Sequence, residues 1–126
     1  MEKPNQQNVY GEPLIPCCTS PMTGYYRDGY CHTDVTDRGI HTICVELTWE
    51  FLEFSKMMAN DLTTPMPDYN FPGLKEGDHW CLCAGRWLEA YKEGKAPKVN
   101  LNATNIETLA IVPMNILKEF SIHPLN

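Results

Sequence analysis

Proline and glycine decide where regular structure can form in this chain. Pro13, Pro16 and Pro21 share residues 8–39 with Gly11, Gly24, Gly29 and Gly39, and Pro65, Pro67 and Pro72-Gly73 interrupt residues 60–77. Proline removes a backbone donor and clashes inside a helix, and glycine weakens helix and strand alike. Neither stretch can hold a helical period, so the helices fall within residues 41–59 and after residue 77, and each is short. An irregular segment as long as 60–77 is uncommon in a compact domain and is often a functional loop or lid.

Inside those windows the pattern is readable. Ile43, Val45 and Leu47 alternate with Thr42, Cys44 and Glu46, which predicts a strand over 41–47 with His41 on the apolar parity. Thr48 suits the N-cap of a helix from Trp49 to about Ala59, with Phe51, Phe54, Ser55 and Met58 on one stripe. Trp80, Ala84, Trp87, Leu88 and Tyr91 recur at helical spacing, which predicts a second helix capped by Asp78 and ended by Lys92, Gly94 and Pro97. Strands are expected over 97–101 and 108–112, and Pro113 opens a C-terminal helix reaching about Phe120. Asp28-Gly29 between tyrosines predicts a two-residue hairpin that sets Arg27 opposite Tyr30 and Tyr26 opposite Cys31. With no βαβ alternation, the fold class is α+β. After a flexible tail over 1–7, residues 8–126 form one domain, a two-layer sandwich of mostly antiparallel sheet with helices on one face.

Charge removes several function classes. The 126 residues carry a formal charge of -6 with no cluster of Lys or Arg. A groove that tracks phosphates needs clustered cations, so no nucleic acid is expected. An anionic membrane surface is disfavoured on the same ground, and no apolar run approaches the ~20 residues of a membrane span. The polar start, Met1 to Gln7, lacks the apolar core of a signal peptide, so a cytoplasmic location is expected. In that compartment Cys17, Cys18, Cys31, Cys44, Cys81 and Cys83 are expected as thiols.

Several residues could carry chemistry. On a helix Cys81 and Cys83 would point apart, and the one nearer the helix N-terminus, Cys81, is the more reactive candidate. A Cys–His pair is the minimum for an activated thiolate, so Cys31 or Cys81 is the candidate nucleophile and His41 the candidate base. Arg27 and Arg86 are two of few arginines in an acidic chain and suit a carboxylate or phosphate. Aromatic residues concentrate at Tyr25, Tyr26, Tyr30, Tyr69, Phe71, Trp80 and Trp87, most of them expected in the core; if the 23–32 hairpin and the 60–77 loop converge, they can instead rim an apolar pocket. The ligand-binding candidates are thus Arg27, Asp28, Asp61, Trp80 and Arg86. Zinc knuckles, the EF-hand pattern and phosphate loops do not occur in the sequence, so no metal is assigned and no cofactor is named.

Four stretches carry a resemblance. They are Pro16-Cys17 through Pro21-Met22-Thr23-Gly24-Tyr25-Tyr26-Arg27-Asp28-Gly29; His41-Thr42-Ile43-Cys44; Asn60-Asp61-Leu62-Thr63-Thr64-Pro65; and Phe71-Pro72-Gly73-Leu74 through Asp78-His79-Trp80-Cys81-Leu82-Cys83-Ala84-Gly85-Arg86-Trp87. Together the chain resembles domain-of-unknown-function family 2237, from about Asn8 to about Phe120, and departs from its pattern at Cys18 and Tyr30. The resemblance implies a single two-layer α+β domain and carries over no activity and no catalytic residue. No catalytic motif being complete, the expected function is binding of a small molecule or a protein partner through an aromatic, loop-lined pocket. A small Cys/His enzyme or a Cys/His metal site is the alternative.

Overall fold

Strand β1 (His41–Glu46) is the centre of a three-stranded antiparallel sheet of order β2–β1–β3, flanked by β2 (His79–Cys83) and β3 (Lys98–Val99). The computed structural model describes residues 6–69 and 71–122. Three helices complete the α+β architecture: α1 (Trp49–Met57), α2 (Ala84–Lys92) and α3 (Met114–Glu119). Among the described residues no helix is long and apolar enough to cross a membrane.

The alternation in β1 sorts two faces. Ile43 and Val45 pair with Leu82 and Trp80 of β2, and this face packs with Phe51 and Leu52 of α1, Trp87 of α2 and Leu117 of α3 in the main core. Thr48 starts α1 as expected, its hydroxyl accepting from the Phe51 amide at 3.1 Å. Met58, placed on the apolar stripe by spacing, is exposed because α1 ends at Met57. The opposite face presents Cys44 and Cys81, which are cross-strand partners and pack with Cys17, Cys31 and Ala103.

The cysteines differ from expectation. Cys17 is bonded to Cys44 and Cys31 to Cys81, leaving Cys18 and Cys83 as thiols. The turn that joins the Cys17 amide to the Gly29 carbonyl at 2.7 Å lays two loop cysteines over the paired strand cysteines. The resulting Cα separations, 5.7 and 5.3 Å, lie in the range a disulfide requires. This proximity arises across the fold, from residues 27 and 50 positions apart, and spacing along the chain does not show it.

Three local expectations also change. Residues 79–83 form a strand, and the helical face begins only at Ala84, where Trp87 and Ala90 are buried. A short apolar run such as His79–Cys83 has no period long enough to choose, and pairing with β1 decides it. Ile106–Ala110 is a 3₁₀ turn, started by the Asn105 side chain accepting from the Glu107 amide, where a strand over 108–112 was expected. The expected Asp28-Gly29 hairpin is a series of turns. Asp28 Oδ1 accepts from the Tyr30 amide, and Arg27 has φ +55°. Gly24 has φ +100°, and a Cβ there would run into the Tyr30 carbonyl. Gln6 and Gln7, read with the tail, are hydrogen-bonded to Thr33 and to the Ile106 amide, and residues 1–5 of that tail lie outside the described residues.

Trp87 is fully buried, and its indole N–H donates to the Pro97 carbonyl at 3.1 Å. Trp87→Ala is expected to lower unfolding free energy by about 3–5 kcal/mol, read from the shift in urea midpoint at unchanged slope.

Candidate functional site

A bulge in β1 sets up the site. The register runs Val45 to Trp80, Cys44 to Cys81 and Ile43 to Leu82, then slips so that His41 opposes Cys83. Directly opposed residues of antiparallel strands point to the same face. His41 therefore leaves the apolar parity it holds in the sequence and joins the face of Cys83. The extra residue, Thr42, turns inward, where its hydroxyl meets that of Thr108 at 2.7 Å. Bulges commonly re-aim a side chain in this way.

Asp37 then fixes the ring. Its side chain is fully buried; Oδ1 accepts from His41 Nδ1 at 2.6 Å, and Oδ2 accepts from the His41 amide at 2.9 Å and the Thr33 hydroxyl at 3.0 Å. With Nδ1 engaged, Nε2 is the nitrogen left for other chemistry. Tyr25 stacks on the ring at 6.3 Å between centroids, and a Cβ at Gly39 would run into it. The His41 side chain remains 39% exposed, enough to reach a solute.

His41 opens into a cleft of about 340 Å³ along the outer edge of β2. The turn residues Gly24, Tyr25 and Arg27 form one wall, and Asn60, Asp61, Leu62, Met66, Tyr69 and Phe71 form the other. Trp80, Cys81, Leu82 and Cys83 form the floor. The two irregular segments thus converge on one aromatic concavity. Phe71 meets Trp80 edge-on at 5.5 Å, and the Arg27 guanidinium lies over the Trp80 ring at 5.1 Å. Partial burial lowers the Arg27 pKa from its ordinary value. The Cys81 amide, on the open edge of β2, donates to the Thr23 hydroxyl at 2.8 Å.

The remaining candidates divide. Asp61 lines the cleft, but its carboxylate closes its own turn, accepting from the Thr64 hydroxyl at 2.6 Å, the Thr63 hydroxyl at 2.8 Å and the Thr63 amide at 2.9 Å. Asp28 holds the neighbouring turn, with Oδ2 2.9 Å from His32 Nδ1. Arg86 stands outside the cleft, donating to the Met58 carbonyl at the end of α1. Cys31 and Cys81, expected as a thiol nucleophile, are bonded to one another, and Cys31 is wholly buried. The thiol in the cleft is Cys83, half-buried at the last position of β2. Sequence reasoning passed over Cys83, which it placed on a helix, and Asp37, whose contact with His41 belongs to no motif.

Two other features compete for attention. The sulfurs of Cys17, Cys31 and Cys81 lie within 4.8 Å of one another, a spacing thiolates could use on a soft metal. Bonded in pairs, they have no thiolate to offer. A broader groove of about 750 Å³ borders Thr33, Asp34, Arg38 and Glu107, but its described lining brings no thiol, histidine or aromatic ring.

A family model described as an uncharacterized protein conserved in bacteria (DUF2237) matches residues 7–121. No curated protein matches the chain.

The Thr64 hydroxyl first, and then the Thr63 amide and hydroxyl, hold the Asp61 carboxyl far below the ordinary carboxylate range. The stability linked to this group is present above the unfolded carboxylate pKa and is lost as pH falls through the lower folded value. In a carboxyl-detected NMR titration Asp61 is expected to remain charged after ordinary exposed carboxylates have protonated. Thr64→Ala is expected to raise its midpoint.

Proposed function

The chain belongs to the DUF2237 family, and from that premise we propose that it binds a small organic anion in the cleft between residues 24–27 and 60–71. One observation carries this reading: a cation laid on the aromatic floor of a concavity, Arg27 over Trp80. The ring face attracts the guanidinium and fixes its plane. One N–H, on Nη1, donates to the Gly24 carbonyl at 2.6 Å, which fixes the other end of the fork. A guanidinium carries five N–H donors in a rigid arrangement that matches carboxylate and phosphate oxygens. Partial removal from water strengthens its attraction for an anion.

The rest of the lining sets the body of the ligand. Tyr25 and Phe71 offer flat apolar surface, Trp80 lies buried beneath Arg27, and a volume of about 340 Å³ sits at the small end of the range for organic-ligand sites. A planar or apolar group against Tyr25 and Phe71, with its charge on Arg27, uses both features. The concavity favours such a molecule over a folded protein partner, which needs a broad contact area.

The test uses two probes that differ by one charge, 8-anilino-1-naphthalenesulfonate and its neutral parent N-phenyl-1-naphthylamine. Fluorescence titration of the wild-type chain is expected to give tighter binding of the sulfonate. Arg27→Gln is expected to raise the sulfonate Kd by about tenfold, the equivalent of ~1.4 kcal/mol, and to leave the amine unchanged. An equal effect on both probes, or none on either, would sink the reading.

A further inference from the structure

We propose that Cys83 is the nucleophile of a covalent reaction in this cleft, with His41 as its base and Asp37 as the positioning residue for His41. The inference rests on the anion-binding reading and deepens it by naming what the site does to its ligand. Its substrate class is a small carboxylate- or phosphate-bearing molecule with an electrophilic carbon.

Four independent features converge. Cys83 is a thiol outside both disulfides, half-buried, and lines the cleft. The β1 bulge makes His41 its cross-strand partner, and directly opposed residues hold their Cβ atoms about 4.5–5.5 Å apart. The buried Asp37 engages Nδ1 of His41, which leaves Nε2 as the acceptor in the neutral ring. Arg27, on the wall of the same cleft, supplies a cation that can hold the substrate's anionic group away from the reacting carbon. Nucleophile, base, orienting carboxylate and substrate anchor are the parts that thiol-based covalent catalysis needs.

The step balances without an added oxidant or reductant. The Cys83 Sγ forms a bond to the electrophilic carbon as the bond from that carbon to its leaving group breaks. The leaving group departs with the electron pair, and the thiol proton passes to His41 Nε2. The Cys31–Cys81 disulfide, two positions away on the same strand face, takes no part. Cys18, the other described thiol, does not line the cleft and serves as the internal reference.

The experiment is site-resolved alkylation of the native chain, read by mass spectrometry, with iodoacetate and with neutral iodoacetamide. An unassisted thiolate repels a carboxylate, so the neutral reagent should be the faster one. At Cys83 iodoacetate is expected to react at least tenfold faster than at Cys18 and faster than iodoacetamide at the same residue. His41→Asn and Asp37→Asn are each expected to slow both reagents at Cys83. Arg27→Gln is expected to reverse the preference for iodoacetate and to leave the iodoacetamide rate in place. A Cys83 no faster than Cys18 with either reagent in the wild-type chain overturns the proposal, whether or not any variant folds. If the sulfonate probe still depends on Arg27 in that case, the anion-binding reading survives alone. A fast Cys83 indifferent to His41→Asn overturns the assignment of the base. A fast, His41-dependent Cys83 with no preference for iodoacetate supports the nucleophile and overturns the anionic substrate class.

Discussion

Two covalent bonds hold a segment that could not otherwise hold itself. Residues 17 and 31 bracket the turn that carries Gly24, Tyr25 and Arg27, and each is bonded to a cysteine on the sheet face opposite the main core. That turn has no strand or helix of its own, and its hydrogen bonds are scattered singly between turn residues. Ordering such a chain costs about 1–2 kcal/mol per residue in backbone entropy, with little ladder bonding in return. Closing it at both ends reduces the freedom of the unfolded chain, and the cost of ordering falls accordingly. Arg27 and Tyr25 reach the cleft as fixed groups because the ends of their turn are fixed.

The second constraint is smaller and acts on one ring. Without the register slip in β1, His41 would face the main core beside Ile43. With it, the ring turns to the thiol face and needs a partner there. Asp37 supplies one from a carboxylate whose oxygens are engaged by His41 and Thr33. A buried carboxylate is costly unless it is well hydrogen-bonded, so the arrangement holds as a unit. The site depends on a main-chain irregularity and one buried acid working together.

Much of this was legible in the sequence, for identifiable reasons. β1 and α1 were readable because their alternation and the Thr48 cap are local signals, and both stand where local physics puts them. The convergence of residues 24–27 with 60–71 stood in the sequence only as a condition, suggested by where proline and glycine forbid regular structure and where aromatic residues cluster, and it is the structure that brings the two segments together. The strand at 79–83 was hidden because Trp80 falls by coincidence on the helical stripe that begins at Ala84. That error displaced the thiol, since Cys81 and Cys83 share a face on a strand and diverge on a helix. The disulfides and the His41–Cys83 pairing were out of reach because each is a contact between distant segments, fixed by register and not by spacing.

The order of the bonded cysteines along the chain has a topological consequence. Cys17, Cys31, Cys44 and Cys81 alternate between the two bridges, first with third and second with fourth. The two covalent rings therefore overlap between residues 31 and 44. A single nick anywhere from 17 to 81 leaves the two pieces joined, by one bridge or by both. Val35, almost wholly exposed at 98%, sits in the doubly spanned stretch. Cleavage there would add one water and produce a two-chain molecule whose pieces part only when both bridges are reduced.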